Sequence, residues 1–187
     1  GTGILRKEGT NTLAFAKAIS IGKTLVDDGT LEASSTFHGG DVVVGDKNGA
    51  PGSAKFVVLE GETVAVNSML IQSDGQLETK NTSSQLTVSN DLLIDKGQWN
   101  LASGSTVSAK KTQLKDGELE LASGVNLTTS TLEVGDNTGA ASSAHFTVSG
   151  NLISDNVHVD SDGSLDFKLN TRITNSLNVH GGAVHVL

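Results

Sequence analysis

The sequence predicts an all-β chain whose strands stack as a parallel β-solenoid. Three observations lead to this fold class: the composition, the alternation of apolar and polar residues, and a repeat of about 20 residues. The 187 residues include 22 Gly, one Pro, no Cys and no Tyr, and aromatic residues are 3% of the chain. A globular core usually takes its bulk from aromatic side chains. A core of Val, Leu, Ile and Ala therefore favours thin layers of stacked strands.

A short signature recurs along the chain: a turn pair ending in Gly, then a polar, an apolar and a polar residue. Clear copies occupy positions 28–32, 74–78, 96–100, 116–120 and 162–166, and a weaker copy occupies positions 181–185. The glycines at 75 and 97, at 97 and 117, and at 163 and 182 have nearly the same spacing. A fixed period of about 20 residues is typical of solenoids, in which each repeat forms one turn of the rod.

Two glycine intervals, 29–75 and 117–163, are more than twice this length, which predicts two coils with an insertion in each interval. The insertions are visible, because positions 45–56 match positions 135–146 at a constant offset of 90. We predict projecting loops near residues 45–54 and 135–144. They are expected on the same side of the rod, about four coils or roughly 19 Å apart at a strand spacing of ~4.8 Å.

Between the glycines, apolar and polar residues alternate, which is the pattern of a strand with one buried face. Glycine is too frequent for helix interiors. A β-sandwich built from hairpins also fits short alternating strands. The repeat favours the solenoid, because a sandwich needs no self-similarity. The chain should then form about nine coils of about 20 residues, a rod of roughly 40–45 Å.

Stacked coils place equivalent residues above one another. The apolar residue of each signature should therefore stand in an inner column, a set that includes Leu31, Leu77, Leu119 and Leu165. Trp99 occupies the same kind of position and is far bulkier than leucine. We expect it to cap or widen one layer of the rod.

The N-terminal segment, positions 1–32, carries a family likeness. Positions 1–15 read Gly-Thr-Gly-Ile-Leu-Arg-Lys-Glu-Gly-Thr-Asn-Thr-Leu-Ala-Phe, and positions 28–31 read Asp-Gly-Thr-Leu. This resembles the passenger-associated transport repeat of bacterial autotransporters, which runs Gly-Thr-Gly, Leu, Lys, Gly, Thr-Leu and closes on a Gly-Thr-Leu turn. Positions 16–24 stand where the family has Asn-Thr-Tyr-Thr-Gly-Gly-Thr, which this chain lacks.

The resemblance implies a right-handed parallel β-helix from the passenger of a Gram-negative type V secretion system, at the bacterial cell surface or released from it. Residues 1–187 would be one β-helix fragment of a larger passenger, held at the outer membrane by a C-terminal translocator outside the fragment. The expected function is adhesion or self-association, with a host receptor, a glycan or another copy of the chain as partner. Two alternatives stay open: the passive stalk of a secreted protease or toxin, and a polysaccharide-cleaving β-helix.

Charge and side-chain inventory argue against several functions. The formal net charge is −8 at pH 7, so nucleic acid is not expected as a partner, because phosphate binding needs a basic face. Arg occurs only at positions 6 and 172, and Asp falls mainly in turns, where it caps backbone amides. With no Cys and no Gly-x-Ser-x-Gly motif, we expect no enzyme, no catalytic residue and no cofactor.

A bound metal is not expected either. His180 should stack near His158 one coil on, and a polar surface column explains that pair better than a metal site. The other three histidines are His38, His145 and His185. Positions 160–163, Asp-Ser-Asp-Gly, resemble part of a calcium loop but lack the bidentate Glu at the required distance.

The two insertions are the best candidates for specificity, because loops that interrupt a regular solenoid lie on one face and carry function. A tolerated flexible loop and a contact point for a partner both fit their Gly, Ala, Ser and Asn content. The candidate contact residues are Asp46, Lys47, Asn48, Asp136, Asn137 and Thr138.

Overall fold

A computed structural model describes residues 1–15, 17–34, 37–168 and 171–187 of the chain. Within these residues there are seventeen β-strands and no helix. The strands are β1 (Ile4–Lys7), β2 (Thr12–Ala14), β3 (Ile19–Val26), β4 (Gly29–Ala33), β5 (Phe37–Val44), β6 (Ala54–Val58), β7 (Thr63–Ile71), β8 (Gly75–Thr79), β9 (Gln85–Asp95), β10 (Gln98–Asn100), β11 (Thr106–Leu121), β12 (Asn126–Val134), β13 (Ala144–Val148), β14 (Asn151–Val159), β15 (Gly163–Phe167), β16 (Thr171–Val179) and β17 (Ala183–Val186).

The strand pairs of the described residues are all parallel and join one coil to the next, which confirms the predicted parallel β-helix. The long face of the rod is the series β1-β3-β5-β7-β9-β11-β12-β14-β16. The short face consists of β2-β4-β6-β8-β10, followed by residues 117–121 of β11 with β13-β15-β17. Long β11 contributes its first half to the long face and its second half to the short face.

The rod has about eight turns spaced about 21 residues apart, one fewer than the nine predicted. The pairing register gives the reason. Val26 pairs with Val44, and Val44 pairs with Ile71, so the coil that contains the first insertion is clearly longer than the coil before it. The insertions lengthen the coils that contain them, and the same chain therefore makes fewer coils than a uniform period allows.

Several strands of the long face, among them β7, β9, β12 and β14, bend midway, which gives the rod a corner. In β7 the buried residues Val64 and Val66 are followed by buried Met69 and Ile71. The alternation of inward and outward side chains therefore shifts by one residue at the bend. Side chains at the bend point outward and form a polar ladder. Asn67 Nδ2, for example, donates to Asp41 Oδ1 of the preceding coil at 2.6 Å.

Inner columns form where the signature predicted them. On the short face Leu31, Phe56, Leu77 and Trp99 pair in series, as do Leu119, Phe146, Leu165 and Val184. Phe56 and Phe146 are almost fully buried and come from the coils that carry the insertions. The two insertions therefore return the chain to the same register, with a phenylalanine at the core position.

The glycine of the signature is required by close approach to the preceding coil. A Cβ at Gly75 would lie 2.1 Å from the carbonyl oxygen of Val44, and one at Gly163 would lie 2.1 Å from that of Val134. No side chain fits at such distances without moving the backbone. The recurring Asp-Gly pair thus marks a point where neighbouring coils touch closely.

The N-terminal coil is held by a buried lysine. Lys7 is only 6% exposed, and its Nζ donates to the carbonyl oxygens of Glu8 and Asp28, each at 3.0 Å, and to that of Gly9. The lysine that carries part of the family likeness therefore connects the turn of its own coil to the next coil.

We predict that Phe56→Ala lowers the free energy of unfolding by about 3–5 kcal/mol, because it leaves a cavity in the inner column. Phe56→Leu should cost less than about 1.5 kcal/mol, because most of the volume is kept. Lys55→Ala, on the outward side of the same strand, is the matched control and should change stability by less than about 1 kcal/mol. Urea unfolding followed by circular dichroism measures all three, and equal losses in Phe56→Ala and Lys55→Ala would contradict the column.

Candidate functional site

The two insertions lie at one corner of the rod, where the chain passes from the long face to the short face. The first loop, residues 45–53, joins β5 to β6, and the second loop, residues 135–143, joins β12 to β13. In the long face β5 and β12 are four strands apart, so the loops lie roughly 19 Å from each other at a strand spacing of ~4.8 Å.

The two loops have the same backbone conformation. Three positions in each have positive φ, and they correspond at the offset of 90: Gly45 and Gly135 at 93° and 94°, Lys47 and Asn137 at 69° and 61°, Gly52 and Ser142 at 75° and 60°. Non-glycine residues rarely adopt positive φ. The two loops therefore share the same departure from ordinary backbone at three equivalent positions.

A buried carboxylate organises the first loop. Asp74 has no exposed surface, and its Oδ1 accepts a hydrogen bond from Lys47 N at 2.9 Å. Its Oδ2 accepts from Asp46 N and Gly49 N, each at 3.1 Å. The loop backbone therefore wraps an anion that belongs to the Asp-Gly turn of the next coil, and backbone amides arranged in this way form an anion-binding nest.

The second loop repeats the arrangement around Asp162, which is 1% exposed. Asp162 Oδ1 accepts from Asp136 N at 3.0 Å and from Asn137 N at 2.9 Å, and Oδ2 accepts from Gly139 N at 3.1 Å. Each loop is thus fixed to the rod by three backbone amides that donate hydrogen bonds to its own buried carboxylate.

Burial raises the pKa of both carboxyl groups, but the amide hydrogen bonds outweigh it. The pKa of Asp74 is lowered by the amides of Lys47, Asp46 and Gly49. The pKa of Asp162 is lowered by the equivalent amides of the second loop. Hydrogen bonds to the charged form stabilise it, so each carboxylate stays ionised in its buried position.

Glycine begins each loop because the carboxylate leaves no room for a side chain. A Cβ at Gly45 would lie 2.2 Å from Asp74 Oδ1, and one at Gly135 would lie 2.3 Å from Asp162 Oδ1. The positive φ of both glycines adds backbone strain for any other residue.

The candidate residues of the first loop are exposed, although the backbone amides of Asp46 and Lys47 point toward the buried Asp74 carboxylate. Lys47 Nζ contacts Asp95 Oδ2 at 2.7 Å, and Asp46 Oδ1 accepts from Asn48 N at 2.9 Å. An open cavity of about 570 Å³ borders this loop. Its charged lining is Arg6, Glu8, Asp27, Asp28 and Asp46.

In the second loop Asn137 and Thr138 are exposed and Asp136 is half-buried. Asn137 Oδ1 accepts from Ser161 N at 3.0 Å, and Asp136 Oδ1 accepts from Thr138 N at 3.0 Å. The structure brings the six candidate residues together as two groups of three. Their role in contacting a partner stays a prediction.

Sequence reasoning misses the two residues on which the loops depend. The sequence indicates only turn residues at Asp74 and Asp162, with Asp162 also part of an incomplete calcium loop. The available signal is that each belongs to the first Asp-Gly turn after an insertion. Asp162 accepts the three amides of the second loop, so it holds that loop to the rod.

Histidines gather near the C-terminal end of the described rod. The rings of His158 and His180 have centroids 6.3 Å apart, which confirms the predicted stack. The sequence does not indicate a second group, in which Asp166 lies between His145 Nε2 at 3.1 Å and His185 Nδ1 at 2.8 Å. Burial raises the pKa of Asp166, but the hydrogen bonds from His185 and His145 outweigh it and lower the pKa overall.

Within residues 1–15, 17–34, 37–168 and 171–187, no group of three or more His, Cys, Asp or Glu side chains is placed to hold a metal ion. The same residues include no helix that is long and apolar enough to cross a membrane. No protein-family model, curated protein or solved structure matches the chain. The candidate site therefore rests on the geometry of the loops.

We predict that Asp74→Asn lowers the free energy of unfolding by about 1.5–3 kcal/mol, because one carboxylate oxygen becomes an NH2 group facing backbone N–H donors. Asp91→Asn is the matched control: it removes the same charge from an exposed side chain whose carboxylate accepts no hydrogen bond from the described residues. Thermal unfolding of both variants tests this. Equal stability of the two would show that the carboxylate does not hold the loop.

Stability should also fall in acid because of these carboxylates. A group with a lowered pKa in the folded chain stabilises it above the unfolded pKa, about 3.9 for Asp, and loses that contribution as the pH falls through the lowered value. We predict that the unfolding temperature drops steeply below about pH 4 and that the double variant Asp74→Asn, Asp162→Asn shows a shallower drop. Scanning calorimetry between about pH 5 and pH 2 measures the slopes, which Asp91→Asn should leave unchanged.

Proposed function

We propose that the chain is a structural and adhesive segment of a bacterial autotransporter passenger and that it mediates adhesion or self-association. One observation carries the proposal: the rod displays the same loop conformation twice at one corner, roughly 19 Å apart. A passive stalk needs no such repeated display. The likeness of positions 1–15 to the passenger-associated transport repeat supports the autotransporter origin.

The way in which the loops are fixed favours a binding role. Each backbone is held by three hydrogen bonds to a buried carboxylate, while the side chains of Lys47, Asn48 and Thr138 stay exposed. A preorganised loop loses little conformational entropy when it binds. Two such loops on one rigid rod also bind a repetitive partner more tightly than either does alone, because the second contact is intramolecular.

The partner in this proposal is a host receptor, a glycan or another copy of the chain, and the location is the cell surface or the extracellular space. Attachment to the outer membrane comes from a C-terminal translocator in the rest of the passenger. The net charge of −8 supports the absence of nucleic acid among the partners, because it disfavours contact with phosphate.

The test places bulk on both loops without touching the buried carboxylates. Ala50 and Ala140 are exposed and equivalent in the two loops, so Ala50→Arg with Ala140→Arg covers both surfaces. Ser89→Arg with Ser130→Arg makes the same change at exposed positions of the long face. The variants are compared in the full passenger displayed on cells.

We predict at least a tenfold loss of cell aggregation or attachment in the loop pair, a smaller loss in either single variant, and no loss in the Ser89, Ser130 control. Surface display and strand content by circular dichroism should be the same in all variants. Normal aggregation and attachment in the loop pair would overturn the adhesive role of the loops.

A further inference from the structure

The short face of the rod is interrupted at one level. Its first five strands end at β10, and residues 117–121 of β11 begin a separate series with β13, β15 and β17. On the long face the same two coils remain paired through β9 and β11. The coils are therefore joined on one side and open on the other, which produces a cleft across the short face.

Trp99 stands at the opening. It stands in register with Leu77 in the inner column, and its indole is far larger than the leucine side chain. The ring is half-buried, and it meets the ring of Phe146 edge-on, with centroids 5.8 Å apart. Its Nε1 donates to the carbonyl oxygen of Glu120 at 2.7 Å, so the indole bridges the gap that the missing strand pairing leaves. This arrangement agrees with the widened layer that the sequence predicts at Trp99.

The cleft has a volume of about 340 Å³ and continues into a hollow of about 330 Å³ beside His145 and Thr147. Both hollows share Glu118, Leu119 and Glu120. The polar side chains of the cleft are those of Gln76, Gln98, Asn100, Glu118 and Glu120. Cavities of this size are in the range of small-molecule sites.

Most of these polar groups are not used by the fold. Glu120 Oε1 accepts from Ser149 Oγ at 2.8 Å. The side chains of Gln76, Gln98, Asn100 and Glu118 make no hydrogen bond with the part of the chain that the structure describes. Three amides and a carboxylate next to a partly exposed indole thus provide both donors and acceptors around an apolar surface.

This combination fits a sugar ring better than other ligands. A pyranose presents an apolar C–H face, which packs on an aromatic ring, and hydroxyl groups, which need donors and acceptors together. The two glutamates repel an acidic sugar. An uncharged sugar meets no such penalty.

We propose that this cleft binds an uncharged glycan, with Trp99 as the packing surface and Gln98, Asn100 and Glu118 as hydroxyl partners. The first loop adjoins the site, because a Cβ at Gly52 would lie 3.3 Å from Gln76 Oε1. The inference rests on the proposed adhesive function and names a chemical class for its partner. It adds a ligand site on the short face, beside the first loop, to the contacts that the two loops make.

The chain contains one Trp and no Tyr, so its tryptophan fluorescence reports on this cleft alone. We expect a saturable change in that fluorescence when the 187-residue chain is titrated with an uncharged hexasaccharide: maltohexaose, cellohexaose or N-acetylated chitohexaose. Hexagalacturonate, which is acidic, should bind at least tenfold more weakly.

Two variants keep the test independent of folding. Glu118→Ala and Gln98→Ala alter exposed side chains, so the rod should stay intact, and each should weaken binding at least tenfold. Glu32→Ala, in the same outward column as Asn100, is the matched control and should bind normally.

Absence of saturable binding by all three uncharged hexasaccharides, tighter binding of hexagalacturonate, or equal binding by Glu118→Ala and Glu32→Ala would each overturn the glycan site. Failure here would leave the adhesive role of the loops standing if cell aggregation still depends on Ala50 and Ala140. The two proposals are thus distinguishable.

Discussion

In-register parallel pairing between successive coils is the constraint on which the rest of the structure depends. A single coil cannot bury its own apolar residues, and it gains a core only when the next coil places equivalent residues above it. The column Leu31, Phe56, Leu77 and Trp99 shows this stacking. Any residues inserted into a coil must therefore form a loop outside the rod, so that the strand after the loop keeps its pairing register with the neighbouring coils.

The two loops show how this chain meets that requirement. Each insertion closes around a carboxylate of the following coil, and the chain then re-enters the short face at Ala54 or Ala144. The hydrogen bonds hold the loop against the rod and satisfy backbone amides that would otherwise need water. A device that preserves the register also yields a rigid, repeated surface, which connects the folding constraint to the proposed adhesive role.

Trp99 marks the level at which the repeat is interrupted. The parallel ladder opens on the short face, and the indole N–H makes the cross-coil hydrogen bond to Glu120. The polar side chains at that level, including Glu118 and Gln98, then line a cleft instead of a continuous sheet. A local departure from the repeat thus creates a cleft whose hydrogen-bonding groups are largely unused by the fold.

The sequence by itself determined the fold class, the inner columns and the position of both loops, because a repeated pattern can be buried only by stacking like on like. It also indicated Trp99 as the irregular layer. Only the tertiary structure decided that Asp74 and Asp162 hold the loops, that eight turns replace nine, and that His145, Asp166 and His185 meet. These contacts join residues of different coils, and the insertions change how far apart in the sequence two stacked residues lie, so the sequence pattern alone does not name the partners.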